Sequence, residues 1–150
     1  MAAKSLLRIL RKLFLKKSLL RGYTFYRTND ESVIQKCIKE VMMKIGIIIS
    51  TDDPETLWNA FRFANLCLNE DVQNEVTIFL NAKAVAYESA DSKQFNIKEL
   101  AKSFVLTEGK LLACGKCLGF RGLQENEVCH KGGQKDLYEM VITSDKLICF

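Results

Sequence analysis

From Lys44 onward the chain alternates short apolar runs with longer amphipathic ones, and that alternation predicts strands separated by helices. Ile45-Gly46-Ile47-Ile48-Ile49-Ser50 is a continuous, mostly β-branched run of strand length, the pattern of a strand buried on both faces. Asp53 then stands where a side chain can cap a helix whose first residue is Pro54. Leu57, Ala60, Phe61, Ala64 and Leu68 recur at helical spacing behind it. Val76-Thr77-Ile78-Phe79-Leu80 reads as a second buried strand, followed by a short helical turn through Val85 and Tyr87 and a polar loop over 89–94. Asn96 is placed to cap a helix carrying Ile97, Leu100, Ala101 and Phe104, with Gly109 placed to stop it. Residues 110–113 form a third strand. A polar stretch follows Arg121-Gly122, then a helix holding Leu137, Tyr138, Met140 and Val141, and residues 146–150 close the chain as a strand. Strand and helix in strict alternation predict one α/β domain over 44–150, a parallel sheet with helices on both faces.

Residues 1–43 follow a different pattern and read as a basic N-terminal extension. Lys4, Arg8, Arg11, Lys12 and Lys16 fall near one helical face and Leu6, Leu10, Leu13, Phe14 and Leu20 near the other, so a basic amphipathic helix is expected there. Charges interrupt it too often for a membrane span, which needs about 20 mostly apolar residues. Such a helix can lie on an anionic membrane surface, seat in a partner's groove or serve as an organelle transit peptide through residues 1–27; a poorly ordered extension is the plain alternative. A short helix is expected over 31–43, where Val33, Ile34, Cys37, Ile38 and Val41 repeat at helical spacing.

Composition changes the picture mainly through where the charge lies. Eight basic residues precede the first acid, Asp30, so the formal net charge of +4 becomes −4 once they are set aside, and residues 28–150 are mildly acidic. A nucleic-acid-binding core would carry a basic face of its own, so none is expected. The six cysteines are Cys37, Cys67, Cys114, Cys117, Cys129 and Cys149. Helix and strand patterns that need no staples, in a chain with no clear signal peptide, argue against a disulfide framework and for a reducing, cytoplasmic compartment. Cys67 and Cys149 sit in apolar stretches and are expected to be packing residues.

The candidate chemistry lies in Leu111-Leu112-Ala113-Cys114-Gly115-Lys116-Cys117-Leu118-Gly119-Phe120-Arg121-Gly122. Two thiols directly follow an apolar strand, and the carboxyl end of a strand in an open α/β sheet is where ligands meet backbone N–H groups. Donors or cations there favour the thiolate, the nucleophilic form, and Lys116 and Arg121 are the nearest cations in sequence. The same residues allow other readings. C-x-x-C suggests a thioredoxin-like redox pair, but that fold needs a proline loop beside the thiols and Pro54 is the only proline. Cys114, Cys117, Cys129 and His130 would suit zinc by residue type, although adjacent Cys129 and His130 cannot easily both reach one tetrahedral ion, so no metal is assigned. His130 as a general base, Asp52 and Asp53 as further groups at the same sheet edge, and a non-catalytic oligomeric or small-ligand binding module complete the alternatives. Neither G-x-G-x-x-G nor a P-loop is present, and no cofactor is expected.

Lys44 to Ser50, Cys114 to Leu123 and the ending Asp136 to Val141 with Asp145-Lys146-Leu147-Ile148-Cys149-Phe150 together resemble the DsrE/DsrF-like proteins, over roughly Lys44 to Phe150. The resemblance implies a small α/β domain that assembles as a homotrimer or homohexamer and passes sulfur between donor and acceptor proteins as a cysteine persulfide. It places the sulfur-carrying cysteine at Cys114, ahead of the turn at Arg121 and Gly122, with Cys117 as a resolving thiol. Some members lack this cysteine. Ala84-Val85 stands where relatives often have Gly-Val, and the extension before Lys44 lies outside the family's domain.

Overall fold

The structure, a computed structural model, describes residues 43–70 and 74–150. The basic helix expected within residues 1–27, and all but the last residue of the one expected over 31–43, lie outside them. Five strands form the sheet: β1 (Lys44–Ile49), β2 (Glu75–Leu80), β3 (Lys110–Cys114), β4 (His130–Gly132) and β5 (Lys146–Cys149). The helices are α1 (Pro54–Glu70), α2 (Ile97–Leu106), α3 (Gly115–Phe120) and α4 (Gln134–Thr143), with a 3-10 segment over Ala82–Ala90. All pairings are parallel and the order is β4-β3-β2-β1-β5.

That order decides which face each helix covers. The chain steps outward from β1 through β2 and β3 to β4, then returns to the far side of β1 for β5. Right-handed crossovers therefore put α1 and α2 on one face and α4 on the other. Ile45, Ile47 and Ile49 of β1 turn to the first face, with Val76, Ile78, Leu80, Leu111 and Ala113 beside them in register. Leu57, Ala60, Phe61, Ala64 and Leu68 of α1 and Ile97, Ala101 and Phe104 of α2 complete this core. Buried Asn65 ties the two helices together, its Nδ2 donating to Phe61 O at 2.9 Å and to Leu100 O at 3.0 Å. On the second face α4 lies so close that a Cβ on Gly46 would stand 2.7 Å from Ser144 Oγ and 3.3 Å from Met140 Cγ. This face is the less covered one, and Tyr138, Val141 and Ile142 of α4 with Leu147 of β5 stay exposed.

Several local expectations hold and several are corrected. Asp53 caps α1 as expected, accepting from Thr56 N at 2.8 Å and Thr56 Oγ1 at 2.7 Å; these two bonds hold its carboxyl below the usual range. Asn96 does not cap α2. Its Oδ1 instead accepts from Trp58 Nε1 at 3.3 Å, and Asp91 Oδ1 supplies the cap by accepting from Lys98 N at 2.9 Å. The left-handed residue that ends α2 is Glu108, at φ 68°, rather than Gly109. The Gly109 N–H closes the turn on Phe104 O at 2.9 Å, and glycine is needed there because a Cβ would meet the Phe104 ring at 2.5 Å. Cys149 is exposed on the edge strand β5, contrary to a packing role, whereas Cys67 is half-buried. A fifth strand and the helix α3 were not foreseen.

Candidate functional site

Cys114 is the last residue of β3 and the residue from which α3 starts, so its sulfur sits at the carboxyl edge of the sheet as expected. The side chain is 5% exposed. Burial alone raises a thiol's pKa, but here it is outweighed by donors: the Cys117 N–H, the Cys117 thiol and the Lys116 N–H all face the sulfur, and the net shift is downward. No capping hydrogen bond is made to the neutral side chain, consistent with a thiol being a weak acceptor. A thiolate in the same place gathers these donors as charge-assisted bonds. Lys116 therefore acts through its backbone; its ammonium is not what favours the Cys114 thiolate.

Cys117 lies one turn into α3 and is half-buried. Burial raises its pKa, and so does the neighbouring Cys114, while the Ala82 N–H and the Arg121 charge act in the opposite direction; the net shift is upward. Its Sγ donates to Asn81 Oδ1 at 3.6 Å. The two thiols of the C-x-x-C pair are thus driven apart, the first toward thiolate and the second toward thiol. Arg121 serves the second rather than the first: its Nη1 donates to Cys117 O at 3.3 Å. Gly122, at φ 64°, then ends α3, with the Leu123 N–H closing on Leu118 O at 3.0 Å. The Arg-Gly turn read in the sequence is this helix terminus.

The remaining candidates are placed elsewhere. Cys129 is buried beside Tyr87 and Asn126 in a pocket of about 280 Å³ behind α3, lined also by Val85, Leu118 and Leu123. Burial, reinforced by the charges of Glu88 and Glu125, pushes its thiol up to about 12. His130 is exposed on β4. Among the described residues no three His, Cys, Asp or Glu side chains gather as a metal site, so the zinc arrangement of Cys114, Cys117, Cys129 and His130 is not formed. Asp52 pairs with Lys83 at 3.8 Å, and Asp53 is spent on its cap. Ala84 is fully buried within the 3-10 segment. Reasoning from the sequence missed Asn81, Ala82 and Lys131, whose side-chain stem passes over Gly115 closely enough that a Cβ there would stand 2.6 Å from Lys131 Cε. Asn81 carried a weak signal, as a polar residue directly after a buried strand.

A parallel five-stranded sheet of this order, with a thiol pair at the end of β3, defines the class. Among solved structures, the fold matches the YchN protein from E. coli with a TM-score of 0.66 at 21% identity, covering 73% of this chain and 100% of that one. It also matches a conserved protein of unknown function, BT1422, from Bacteroides thetaiotaomicron, with a TM-score of 0.59 at 16% identity, covering 71% of this chain and 94% of that one. No curated protein matches the chain significantly. The DsrE/DsrF-like family matches residues 43–150, and the chain belongs to that family.

Proposed function

We propose that this protein is a sulfur carrier, a sulfurtransferase-like relay that holds sulfane sulfur as a persulfide on Cys114. The observation that carries the reading is the placement of two neighbouring thiols, Cys114 at the carboxyl end of β3 with the Cys117 and Lys116 N–H groups facing its sulfur, and Cys117 with an acceptor at Asn81 Oδ1. In the first step the Cys114 thiolate attacks the outer sulfur of a donor persulfide. A sulfur–sulfur bond forms at Cys114, and the donor leaves as a thiolate. An acceptor thiolate then attacks the outer sulfur and regenerates Cys114. In the absence of an acceptor, the Cys117 thiolate attacks Cys114 Sγ, expels hydrosulfide and leaves a Cys114–Cys117 disulfide. Arg121 favours the Cys117 thiolate in that last step.

The partners proposed are a sulfur donor and a sulfur acceptor protein, in the reducing cytoplasm where thiols persist. Phe120, 86% exposed beside the thiol pair, gives such a partner an apolar contact. Self-association as a trimer or hexamer is supported by the exposed apolar residues of α4 and β5. Among the described residues no helix is long and apolar enough to cross a membrane. Contact of residues 1–27 with a membrane surface, or their use in organelle targeting, is proposed from their sequence alone. The pocket behind α3 supports a second reading, a small-ligand binding module.

Intact-protein mass spectrometry after incubation with a persulfide donor, under native and denaturing conditions, tests the reading. Wild type is expected to gain sulfur that reductant removes, and Cys114→Ser to gain none. A wild type that gains no sulfur contradicts the carrier reading, and a bare oligomer would then favour the binding module.

A further inference from the structure

The junction between β2 and the 3-10 segment is built around Cys117 in a way the transfer step alone does not require. Asn81 occupies the residue before a helical segment, where an asparagine commonly caps, yet it makes no side-chain capping hydrogen bond. Its backbone is held from both sides, Asn81 N donating to Ile49 O at 2.8 Å and Asn81 O accepting from Ala84 N at 3.0 Å. The amide is left free to meet Cys117, and Oδ1 accepts the thiol's proton at 3.6 Å. Ala82 next to it has φ 48°, a left-handed conformation that disfavours any residue with a Cβ. That strained residue turns its N–H toward the same sulfur.

Cys117 therefore has an acceptor for its thiol form and a donor for its thiolate form on two consecutive residues. Its single S–H proton has two acceptors within the site, Asn81 Oδ1 and the Cys114 sulfur. When Cys114 is a thiolate, it competes for that proton. Once Cys114 carries a persulfide, the negative charge moves to the outer sulfur and Asn81 is the acceptor that remains. The charged or titratable groups that bear on Cys117 are Cys114 and Arg121.

We propose that Asn81 is a positioning residue for the resolving step, its amide oxygen retaining the Cys117 proton and so setting how long a persulfide survives on Cys114. The proposal rests on the carrier reading. The step it restrains is balanced: the Cys117 thiolate forms a bond to Cys114 Sγ, the bond from Cys114 Sγ to the outer sulfur breaks, and hydrosulfide leaves with that electron pair. No external oxidant is needed, because the persulfide's sulfane sulfur is reduced as the two cysteines are oxidised.

The test isolates Cys117 first. In the Cys114→Ser background, alkylation of the Cys117 peptide is followed against pH by mass spectrometry, which requires no sulfur transfer. Asn81→Ala is expected to move the midpoint to lower pH, because the thiol loses its acceptor. Asn81→Asp is expected to move it to higher pH, because a carboxylate disfavours the thiolate beside it. Unchanged midpoints or the reverse order, as would follow if the amide presented its Nδ2 to the sulfur, overturn the proposal. Cys129, buried in the same fold, is expected to stay unlabelled near neutral pH in every variant and so reports that folding is intact. With Cys114 present and loaded by a persulfide donor, Asn81→Ala is expected to release sulfide several-fold faster than wild type and Asn81→Asp several-fold slower. Equal release rates contradict the proposal. A wild type that takes no sulfur contradicts the carrier reading instead, and the alkylation order then decides the Asn81 assignment by itself.

Discussion

Cys114 and Cys129 both show little surface, 5% and 4% exposed, yet Cys114 lies just beneath the surface at the sheet edge and Cys129 deeper in the fold, and their thiols shift in opposite directions. Cys114 ends β3 where the chain turns into α3, and N–H groups of that turn face it. Cys129 precedes β4 in a loop whose nearest charges are the carboxylates of Glu88 and Glu125. Its own N–H is spent on Asn126 Oδ1 at 2.7 Å, and no donor compensates the lost hydration of a thiolate. Depth and local donors together decide whether a thiol with little exposed surface can become a nucleophile: Cys114 is shallow and faced by donors, Cys129 is deep and has none.

The largest expected consequence is chemical selectivity. A thiol at the ordinary value of 9.0 carries about 1000 times more thiolate at pH 7 than one at about 12. Because a lower-pKa thiolate is also the weaker nucleophile, Cys114, shifted below the ordinary value, should be alkylated at least about 30-fold faster than Cys129 in the native protein. Peptide-level mass spectrometry after brief labelling checks this, and comparable rates would break the contrast.

The raised Cys129 thiol should also be visible in alkaline stability. Its folded-state pKa lies above the unfolded one, so the native state holds more protons between about 9 and about 12 and stability falls as pH rises through that window. The contribution lost by pH 12 is on the order of 4 kcal/mol, and it is fully present below the unfolded value. Tyr87, raised above its usual range mainly by its burial, acts in the same direction at higher pH. Urea unfolding of wild type and Cys129→Ala at neutral pH and near pH 10 should show a flatter pH dependence in the variant.

A smaller effect is expected from removing one donor at Cys114. Lys116→Pro deletes an N–H in the first turn of α3, where proline is tolerated, and a lost bond to a charged group is worth about 1.5–3 kcal/mol. Alkylation of Cys114 near neutral pH should slow about tenfold or more, while Lys116→Ala, which keeps the N–H, should stay close to wild type. The smallest change is expected from Glu88→Gln, which removes one of two charges acting on Cys129 but leaves the burial that dominates. The Cys129 labelling midpoint should fall modestly and remain above that of Cys114.

Much of this frame was legible in the sequence, for reasons that differ by element. β1 and β2 announce themselves because a strand covered on both faces must be apolar at nearly every position. The Pro54 start of α1 and its Asp53 cap are local chemistry that needs no tertiary context. β4 was not legible: His130-Lys131-Gly132 is a three-residue edge strand, mostly exposed, and carries no apolar pattern. α3 spans six residues including two glycines, too short for helical periodicity, and is held by its capped end rather than by propensity. Within the site, adjacency in sequence gave the thiol pair and the Arg-Gly turn. Asn81 lies 36 residues from Cys117 and meets it only because β2 and β3 are parallel neighbours. Arg121 was expected to favour the Cys114 thiolate, but after one turn of helix its charge bears on Cys117 instead.

The most direct test of the central assignment is the pH dependence of alkylation at Cys114 and Cys117 in the unmodified protein, followed peptide by peptide. Cys114 is expected to become reactive at the lower pH and Cys117 at the higher one, in keeping with donors on the first sulfur and an acceptor on the second. If Cys117 reacts first, or the two titrate together with Cys129, Cys114 is not the thiolate of this site and the carrier role assigned to it fails.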